Sequence, residues 1–440
     1  WAAAHLAAEA RALGLAHVAD GERFEAAAAA EAPLVLGTPA PGVTRVDLAS
    51  LGGATAAALC DSPDRFAEVA RAAGLQLPEG AAPGQRVGAL AERLGWPVVM
   101  RDASGEVEFC WNGADAERAR ALKGPVLRME RFLAQAVETD VVVLRDAHGA
   151  TVVAAVAEHV EPAGVTGQDA GCLCPPHTLS PELVERVKDV ASRLAVALQV
   201  QGLLHVRCAS QGKEVFILGA WARPTWLTPF LSRATGLDLP ALALRAALGK
   251  PLGLPAQAVA HPPAAREAVV DASSGDVLLG LEARSRAEVM TLGKSAAQAF
   301  GRSQRAAGLD LERRGHALLA LAESDHPSSV DLVRRLKGLG FEVVVDAATQ
   351  QYLASKRHVA ATSEGREVAL LRDGAVGFFV NTVGRGDEPR HALARLEAAS
   401  RGVPWFTTVE AARLAVSALE APPLETLLPL QTVVAAPPAA

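Results

Sequence analysis

Periodic runs of apolar residues divide the first 250 residues into short strands and helices. The run Trp96–Asp102, "WPVVMRD", ends abruptly in charged residues, as a buried strand does where it emerges at a site. Residues 141–157 form two strand-like segments around the turn residues Asp146–Gly149, which predicts a β-hairpin. Apolar positions recur at helical spacing after Ser180, and two further strands flank a turn at 211–213.

The segment ahead of these elements carries helix start and stop signals. Ser62 is a good N-cap residue, Pro63 suits the first helical position, and Gly74 suits the end of the helix. The preceding "LGGATAAAL", residues 51–59, has the character of a loop that leads into a helix. The Ala-rich start of the sequence is helix-like, and Pro33–Thr38 reads as a short buried strand.

A regular alternation of strands and helices begins near Gly315 and predicts a small doubly wound α/β domain with a parallel sheet. Residues 250–276, rich in Pro, Ala and Gly, are predicted to connect this domain to the rest, and 277–312 to be helical. The tail after Ala421 is predicted to be loosely ordered. The apolar runs that predict the parallel strands lie at 317–322, 341–345, 377–380 and 404–408.

Composition narrows the functional classes. Half of the 440 residues are apolar and only 4% are aromatic, so the cores should be aliphatic. The net charge of −6, with no long basic run, gives no electrostatic footprint for nucleic acid. No apolar run reaches the roughly 18 residues of a membrane span. We therefore expect neither a nucleic-acid nor a membrane partner.

The cysteines and the first residue of the sequence give information on the cellular compartment of the protein. Five cysteines at irregular spacing disfavour a disulfide framework, and Cys172-x-Cys174 is too tight for a zinc knuckle. No targeting segment is visible, so the cytoplasm is the expected compartment. An organelle stays open, because the sequence begins at Trp1 without Met and reads as part of a longer polypeptide.

Several specific strings of residues follow one another along the sequence. They are "DSPDRF" (61–66), "FLAQAVETDV" (132–141), "EHVEPAGVTGQDAG" (158–171), "PPHTLSPELVERV" (175–187), "TPFLSRATG" (228–236), "RAEVMTLGKSAAQAF" (286–300) and "VPWFTTVEAARLAV" (403–416). In this order, the strings resemble the C-terminal half of the carbamoyl-phosphate synthetase large subunit. The segment Glu214–Gly236, which includes one of them, resembles the strand that closes the ATP-grasp active site in that family.

This resemblance implies an α/β protein in which an ATP-grasp unit is followed by a doubly wound, methylglyoxal-synthase-like regulatory domain. It also implies the following segments: a pre-ATP-grasp remnant at 1–60, the ATP-grasp domain at 61–250, a linker and helices at 251–312, the regulatory domain at 313–420 and a flexible tail at 421–440.

The activity implied by the resemblance is ATP-dependent phosphorylation of carbamate, with ATP and magnesium as cofactors and an allosteric effector on the regulatory domain. The implied partners are the N-terminal half of the large subunit and a glutamine-amidotransferase subunit or domain. Phosphoryl transfer needs the phosphates held in place and their charge neutralised, mostly by metal ions and cationic side chains.

Five residues stand at positions where the family contacts the nucleotide. Arg65 and Arg101 match nucleotide-contacting arginines, Leu133 and Glu138 match the adenine and ribose positions, and Arg223 is the retained arginine of the closing strand. A carboxylate suits ribose hydroxyls because it accepts two hydrogen bonds, and the arginine fork suits phosphate. Each arginine could equally form an ion pair elsewhere on the protein.

The positions that carry metal chemistry in the family are replaced. Thr166 stands for the family's histidine, and Arg207 stands for a glutamine metal ligand. Gly219 and Trp221 stand for the glutamate and asparagine ligands of the closing strand. Magnesium requires hard oxygen ligands, which these side chains do not offer. We therefore predict a degenerate active site, in which no catalytic or metal-binding residue is assigned.

Two interpretations of the replaced site stay open. Arg207 could hold an anion as a fixed cation, or it could form an ion pair with Asp169, and we favour the ion pair. Trp221 and Trp226 could fill the volume of the nucleotide or offer a stacking platform.

Family residues of the predicted regulatory domain are replaced as well. His326 stands for the family's phosphate-binding lysine, and Asp346 begins the segment that replaces its Thr-Glu-Gly-Thr loop. Thr349, Asn381 and Thr382 remain at strand ends, where doubly wound folds bind ligands, and are the candidate effector residues.

Three functions are consistent with the sequence. The favoured one is a structural or regulatory protein that has lost catalysis. The second is a working synthetase component with displaced metal ligands, for which the candidates are Glu158, Glu161 and Asp169. The third is a nucleotide or anion sensor without turnover that uses Arg101, Arg207 and Arg223.

Overall fold

The computed structural model describes most of the protein between residues 51 and 422. The described residues are 15–20, 23–28, 51–81, 87–102, 107–123, 126–133, 135–162, 169–254, 261–270, 277–278, 285–382 and 389–422. They fall into two compact units. The first unit comprises 1–79, 133–158 and 174–261, and the second comprises 80–132, 159–173 and 262–440.

The strands and helices are numbered here in sequence order. The strands are β1 Leu15–Asp20, β2 Arg23–Ala28, β3 Gly80–Ala81, β4 Val98–Asp102, β5 Val107–Cys110, β6 Val126–Arg131, β7 Val137–Arg145, β8 Thr151–Pro162, β9 Cys172–Cys174, β10 Gly202–Gln211, β11 Glu214–Trp221, β12 Ala264–Val270, β13 Ser285–Leu292, β14 His316–Ala320, β15 Glu342–Val345, β16 Ala361–Thr362, β17 Val376–Asn381 and β18 Trp405–Phe406. The helices are α1 Ala54–Cys60, α2 Pro63–Ala72, α3 Val87–Leu94, α4 Gly113–Lys123, α5 Pro181–Ala197, α6 Thr228–Thr235, α7 Leu239–Ala247, α8 Ala296–Ala306, α9 His326–Gly338, α10 Ala347–Ser355, α11 Glu367–Arg372, α12 Pro389–Ser400 and α13 Val409–Glu420.

A sheet with the strand order β11-β10-β7-β8 forms the centre of the first unit. β10 pairs antiparallel with both β7 and β11. Helix α5 begins as predicted, with Pro181 in its first turn and the Ser180 side chain accepting the N–H of Leu183 at 3.3 Å. Its apolar side packs in one core with the sheet, and that core includes Val141, Val143, Val187, Leu194, Val206 and Ile217.

The Gly-Gly turn before α1 is fixed by close backbone contacts. The N–H of Gly52 donates to Ala222 O at 2.8 Å, and the N–H of Gln201 donates to Gly52 O at 2.9 Å. A Cβ added at Gly52 would lie 2.2 Å from Leu203 O. Gly202 has a φ of +129°, and a Cβ added there would lie 1.8 Å from Leu51 O. Both glycines are therefore required by the backbone itself, because a side chain at either would collide with carbonyl oxygens.

The second unit contains an antiparallel sheet with the order β3-β6-β4-β5. Helices α3 and α4 cover it through a small core that includes Val87, Leu94, Val98, Met100, Ala116 and Met129. Further along the sequence, β9, β12 and β13 are neighbouring strands, and β12 pairs antiparallel with β13.

The predicted doubly wound domain is present in the second unit. Five strands pair in parallel in the order β16-β15-β14-β17-β18. Neighbouring residues of β14 point to opposite faces, so Leu319 joins one core and Leu318 the other. The larger core also takes in Val160 and Phe300, which lie outside the parallel sheet in sequence.

Two local predictions between residues 250 and 312 are wrong in part, although helix α8 lies within the segment predicted to be helical. Strand β12 lies in the segment predicted to be a connection, and β13 lies in the segment predicted to be helical. The Ala and Glu residues of β13 favour helix locally, but pairing with β12 overrides that preference. Near the N-terminus, β1 and β2 form an antiparallel pair, and the start of the sequence before β1, predicted to be helix-like, lies outside the described residues. The segment Pro33–Thr38 lies outside the described residues.

Within the described part of the protein, no helix has both the length and the apolar character that are needed to cross a membrane.

Thr408 holds two elements of the second unit together. Its hydroxyl donates to Val160 O at 2.9 Å and accepts the N–H of Ala411 at 3.1 Å, so that it also caps α13. We expect Thr408→Ala to lower the free energy of unfolding by about 1–2 kcal/mol, because the cap and the bond to β8 are both lost. Urea unfolding measures this loss. Thr408→Ser keeps the hydroxyl, and an equal loss in that variant would contradict the assignment.

Candidate functional site

Three neighbouring strands of the first unit bring polar side chains to one face of the sheet. In the register of the sheet, Arg207 lies opposite Asp140 on one side and Gly219 on the other, and His205 lies opposite Trp221. Residues two apart on a strand share a face, so the positions on these strands form one group. We call it the Arg207 cluster, and it consists of Glu138, Asp140, His205, Arg207, Gly219 and Trp221.

Arg207 forms ion pairs with two buried carboxylates. Its Nε lies 3.0 Å from Glu138 Oε1 and 3.1 Å from Asp140 Oδ1. The side chains of both acids are fully buried, whereas that of Arg207 is 13% exposed. Buried carboxylates require a charged partner, and a guanidinium supplies one that stays protonated. The carboxylate that the resemblance assigns to ribose is therefore bound to a side chain of the protein itself.

The predicted partner of Arg207, Asp169, belongs to the second unit. There its Oδ2 accepts the N–H of Ser285 at 3.0 Å. Arg207 forms its ion pairs with Glu138 and Asp140, which lie on the neighbouring strand β7. Asp140 was missed by sequence reasoning, although its alternation with Glu138 along β7 was a usable signal.

His205 extends the cluster through two close contacts. Its Nε2 lies 2.7 Å from Asp140 Oδ1, and its Nδ1 lies 2.5 Å from Thr225 Oγ1. The imidazole is fully buried. Asp140 thus contacts both His205 and Arg207, which ties the two basic residues of β10 to one carboxylate.

Two tryptophans enclose the guanidinium of Arg207. Its Cζ lies 5.5 Å from the ring centroid of Trp221 and 5.9 Å from that of Trp226, within the range of cation–π attraction. A Cβ added at Gly219 would lie 3.5 Å from Cη2 of Trp221. The indole of Trp221 would therefore be in ordinary van der Waals contact with a Cβ at position 219.

The other candidate nucleotide residues belong to different elements. Arg65 is exposed on α2, and Leu133 is buried directly after β6. Arg223 follows β11 and pairs with Asp61 at 3.7 Å, with both side chains substantially exposed, so the pair adds little stability. Arg101 lies on β4 in the second unit.

The replaced metal positions do not fit magnesium. Arg207 carries a positive charge at the first of them, and Gly219 and Trp221 offer no side-chain oxygen at the others. Thr166, which stands for the family's histidine, lies outside the described residues. Among the side chains that the structure describes, no group of three or more His, Cys, Asp or Glu residues is placed to hold a metal ion.

The carboxylate of Glu158, one of the displaced ligands considered above, accepts hydrogen bonds from the backbone. Its carboxylate accepts the N–H groups of His177, Thr178 and Leu179 and the hydroxyl of Thr178, at 2.6–3.4 Å. Such a carboxylate fixes the start of the segment that leads into α5. Its lone pairs are already used, which makes it a poor metal ligand.

In the parallel domain, two of the candidate polar groups have no hydrogen-bond partner. Thr349 Oγ1 and His326 Nε2 are buried polar atoms without one. The backbone N–H of Thr349 donates to Asp346 Oδ1 at 2.9 Å, so the acid serves as the N-cap of α10. Capping of α10 is thus the structural role of Asp346, the first residue of the segment that replaces the family's loop.

Asn381 and Thr382 lie at the end of β17 and bind neighbouring groups. Asn381 Oδ1 accepts Nη1 of the buried Arg395 at 2.6 Å, and its Nδ2 donates to Ala320 O at 3.2 Å. Thr382 Oγ1 accepts the N–H of Ala322 at 2.8 Å. These contacts hold the carboxyl ends of β14 and β17 together.

Comparison with known proteins decides the family. The family model "Carbamoyl-phosphate synthase L chain, ATP binding domain" matches residues 64–254. The carbamoyl phosphate synthase large chain of Myxococcus xanthus is 37% identical over 382 residues, which are 81% of the present sequence and 35% of that protein. In Methanopyrus kandleri, the C-terminal section of the large chain is 29% identical over 392 residues, 81% of the present sequence and 72% of that protein. The protein is a relative of the C-terminal half of the carbamoyl phosphate synthase large chain.

The predicted resemblance and fold class are thereby confirmed. The region around the Arg207 cluster is an α/β unit related to the ATP-binding domain of the carbamoyl phosphate synthase large chain, and a parallel α/β domain follows it. The protein spans about a third of the length of the full-length large chains it matches. The predicted domain boundaries stay predictions.

Among solved structures, the protein is similar to biotin carboxylase of Campylobacter jejuni and to the biotin carboxylase domain of 2-oxoglutarate carboxylase of Hydrogenobacter thermophilus. The TM-scores are 0.48 and 0.49, and the sequence identities are 15% and 16%. Each match covers 59% of the present protein, and 68% and 67% of the respective neighbours.

Proposed function

We propose that the ATP-grasp unit of this carbamoyl phosphate synthase relative has lost catalysis and serves as a structural or regulatory part of a larger synthase assembly. The observation that carries the proposal is the Arg207 cluster. A fixed cation stands at a metal-ligand position, and it is bound to the carboxylate that the family resemblance assigns to ribose.

The charges of the cluster support this proposal. Magnesium placed beside Arg207 would be repelled by the guanidinium, and Glu138 could bind a ribose only by leaving its ion pair. A Cβ at Gly219, where the family's glutamate ligand would project, would be in van der Waals contact with the indole of Trp221. The positive charge of Arg207 and the absence of side-chain oxygens at Gly219 and Trp221 together support the proposal.

The two alternatives receive less support. A working enzyme with displaced ligands needs free carboxylates, and the candidate Glu158 is occupied by backbone N–H groups. A sensor based on Arg207 needs an available guanidinium, whereas this one already faces two carboxylates and two indoles.

The family resemblance suggests the partners of such a protein. We propose that it works with the N-terminal half of a large chain and a glutamine-amidotransferase subunit or domain, in the cytoplasm. The parallel domain would bind an anionic effector at the ends of β14, β15 and β17. The buried atoms Thr349 Oγ1 and His326 Nε2, which have no hydrogen-bond partner, support that site.

ATP binding with and without magnesium tests the loss of catalysis. A ligand that binds the native state raises its thermal stability by mass action, by about 2.7 kcal/mol at a hundredfold excess over Kd. We expect the wild-type protein to show no magnesium-dependent shift in Tm with millimolar ATP. The variant R207Q/G219E/W221N restores the family's ligand types, and we expect its Kd for magnesium–ATP to be at least about tenfold lower than that of the wild type.

The matched control is W221N alone, which opens space but restores neither the glutamine nor the glutamate. It should bind magnesium–ATP no better than the wild type. Formation of carbamoyl phosphate from carbamate and ATP by the wild-type protein would overturn the proposal. Calorimetry that finds magnesium-independent ATP binding would favour the sensor instead.

A further inference from the structure

An exposed basic loop follows helix α10 in the parallel domain. It consists of Lys356, Arg357, His358 and Val359, and all four side chains are exposed. Lys337, exposed in the last turn of α9, lies beside the loop, because its Nζ donates to Val359 O at 2.5 Å. Three side chains that are cationic at neutral pH, those of Lys337, Lys356 and Arg357, therefore share one surface.

The positive charge of the basic loop is not compensated. Within the part of the protein that the structure describes, neither the loop nor Lys337 forms an ion pair with a carboxylate. Lys356 Nζ lies 5.5 Å from the ring centroid of Tyr352, a contact that holds the ammonium group without neutralising it. Several exposed arginines of the same domain do pair with acids, namely Arg334 with Asp331, Arg372 and Arg401 with Glu397, and Arg413 with Glu410, at 2.6–3.1 Å.

The backbone of the loop ends α10 in a Schellman motif. The N–H of Arg357 donates to Ala354 O at 2.9 Å, and the N–H of His358 donates to Leu353 O at 2.9 Å. The residue after the helix cap has a positive φ in this motif, and the φ of Arg357 is +63°. Glycine takes this left-handed conformation most readily because it has no Cβ.

Arginine is an unusual residue at this position in the present protein. Other helices end in the same pair of backbone bonds with glycine there, namely at Gly74, Gly249, Gly308, Gly340 and Gly402. Gln199 takes the position after α5, but no basic residue adjoins it in the sequence. The negative end of a helix dipole favours nearby cations such as Lys337 and Lys356, yet it does not require one at 357. Folding alone therefore favours glycine over Arg357, which points to a role for its side chain outside the fold.

An apolar side chain adjoins these cations. Val359 is 82% exposed and directly follows the basic residues. A protein segment that carries both acidic and apolar side chains would use the two features together, as the polar rim and the core of an interface do. A phosphate backbone would use only the charges, and the net charge of −6 opposes the approach of nucleic acid or of an anionic membrane.

We propose that the basic loop, together with Lys337, binds an acidic segment of a partner protein in which carboxylates flank an apolar side chain. The carboxylates pair with Lys337, Lys356 and Arg357, and the planar guanidinium is suited to bind one of them through two hydrogen bonds. The apolar side chain packs on Val359. This interaction is independent of whether the ATP-grasp unit has lost catalysis.

Fluorescence anisotropy of labelled peptides with the full protein tests the proposal. The probes are octaglutamate and the same peptide with one central leucine. We expect the wild type to bind both, to prefer the leucine peptide, and to lose affinity as the salt concentration rises. K356Q/R357Q/H358Q should bind each peptide at least about fivefold more weakly. V359T should still bind octaglutamate but lose the preference for leucine.

The variant R357G separates binding from folding. Glycine relieves the left-handed backbone, so the Tm of R357G should equal or exceed that of the wild type while its affinity for the peptides falls. It decides the matter if K356Q/R357Q/H358Q does not fold. The matched control is R118Q/R120Q/K188Q, which removes three exposed basic side chains that are paired with acids. It should bind the peptides as the wild type does.

Three results would overturn the proposal. The first is equal peptide binding by K356Q/R357Q/H358Q and the wild type, or an equal loss of binding in the control. The second is a Tm of R357G below that of the wild type, because the arginine would then serve the fold. The third is tighter binding of a single-stranded oligonucleotide or of phosphatidylserine vesicles than of either peptide, which would identify a different class of partner.

Discussion

Replacement of Arg207 with alanine is expected to lower the free energy of unfolding by about 3–5 kcal/mol. The guanidinium compensates Glu138 and Asp140, whose side chains are fully buried. Without it, two buried carboxylates lose their guanidinium partner, and burial then favours their protonated or hydrated forms. Urea unfolding followed by far-UV circular dichroism measures the loss.

An exposed ion pair of the same unit provides the comparison. Lys188 pairs with Glu185 on the surface of α5, and Lys188→Ala should cost less than about 1 kcal/mol. In the background of Glu138→Gln, the cost of Arg207→Ala should be smaller, because one of the uncompensated charges is already gone. Equal costs in both backgrounds would show that Arg207 contributes through packing on the tryptophans rather than through charge.

Gly202→Ala is expected to destabilise the first unit by at least about 3 kcal/mol. The backbone at this position has a φ of +129°, and the new Cβ would lie 1.8 Å from Leu51 O. Either the start of β10 or the Gly-Gly turn before α1 must move, and both are fixed by hydrogen bonds to each other. The shift in Tm measures the loss.

Gly212 is the matched control for this substitution. It also has a positive φ, +60°, but a Cβ there would meet nothing within 4 Å. Gly212→Ala should therefore cost only about 1 kcal/mol, from backbone strain alone. If the two variants lose equal stability, the close approach at Gly202 is not what requires glycine.

Much of the fold could be predicted from the sequence where local signals agree with the tertiary structure. The Ser180-Pro181 start of α5 and the apolar runs of the parallel sheet are such cases, because each element buries the face that its own periodicity marks. Strand β13 could not be predicted in this way. Its Ala and Glu residues favour helix, and its pairing with the preceding strand β12 makes it extended.

The site was predictable in its positions but not in its contacts. The alternation of Glu138 with Asp140, and of His205 with Arg207, places these residues on one face of a sheet. The sequence alone could not tell which acid faces which base, because that depends on the register between β7 and β10. The ion pair of Arg207 with Asp169 was predicted from motif position, and it stays a prediction.

The core shared by Val160, Phe300 and Leu319 has a consequence for how such proteins diverge. The parallel sheet buries one face partly against residues that precede it in the sequence by up to about 160 positions. A recombination event that joined the parallel domain of one relative to the preceding segment of another would bring together two halves of one core. We therefore expect such an exchange to be tolerated only between relatives whose core side chains in the parallel domain and in the preceding segment still pack together.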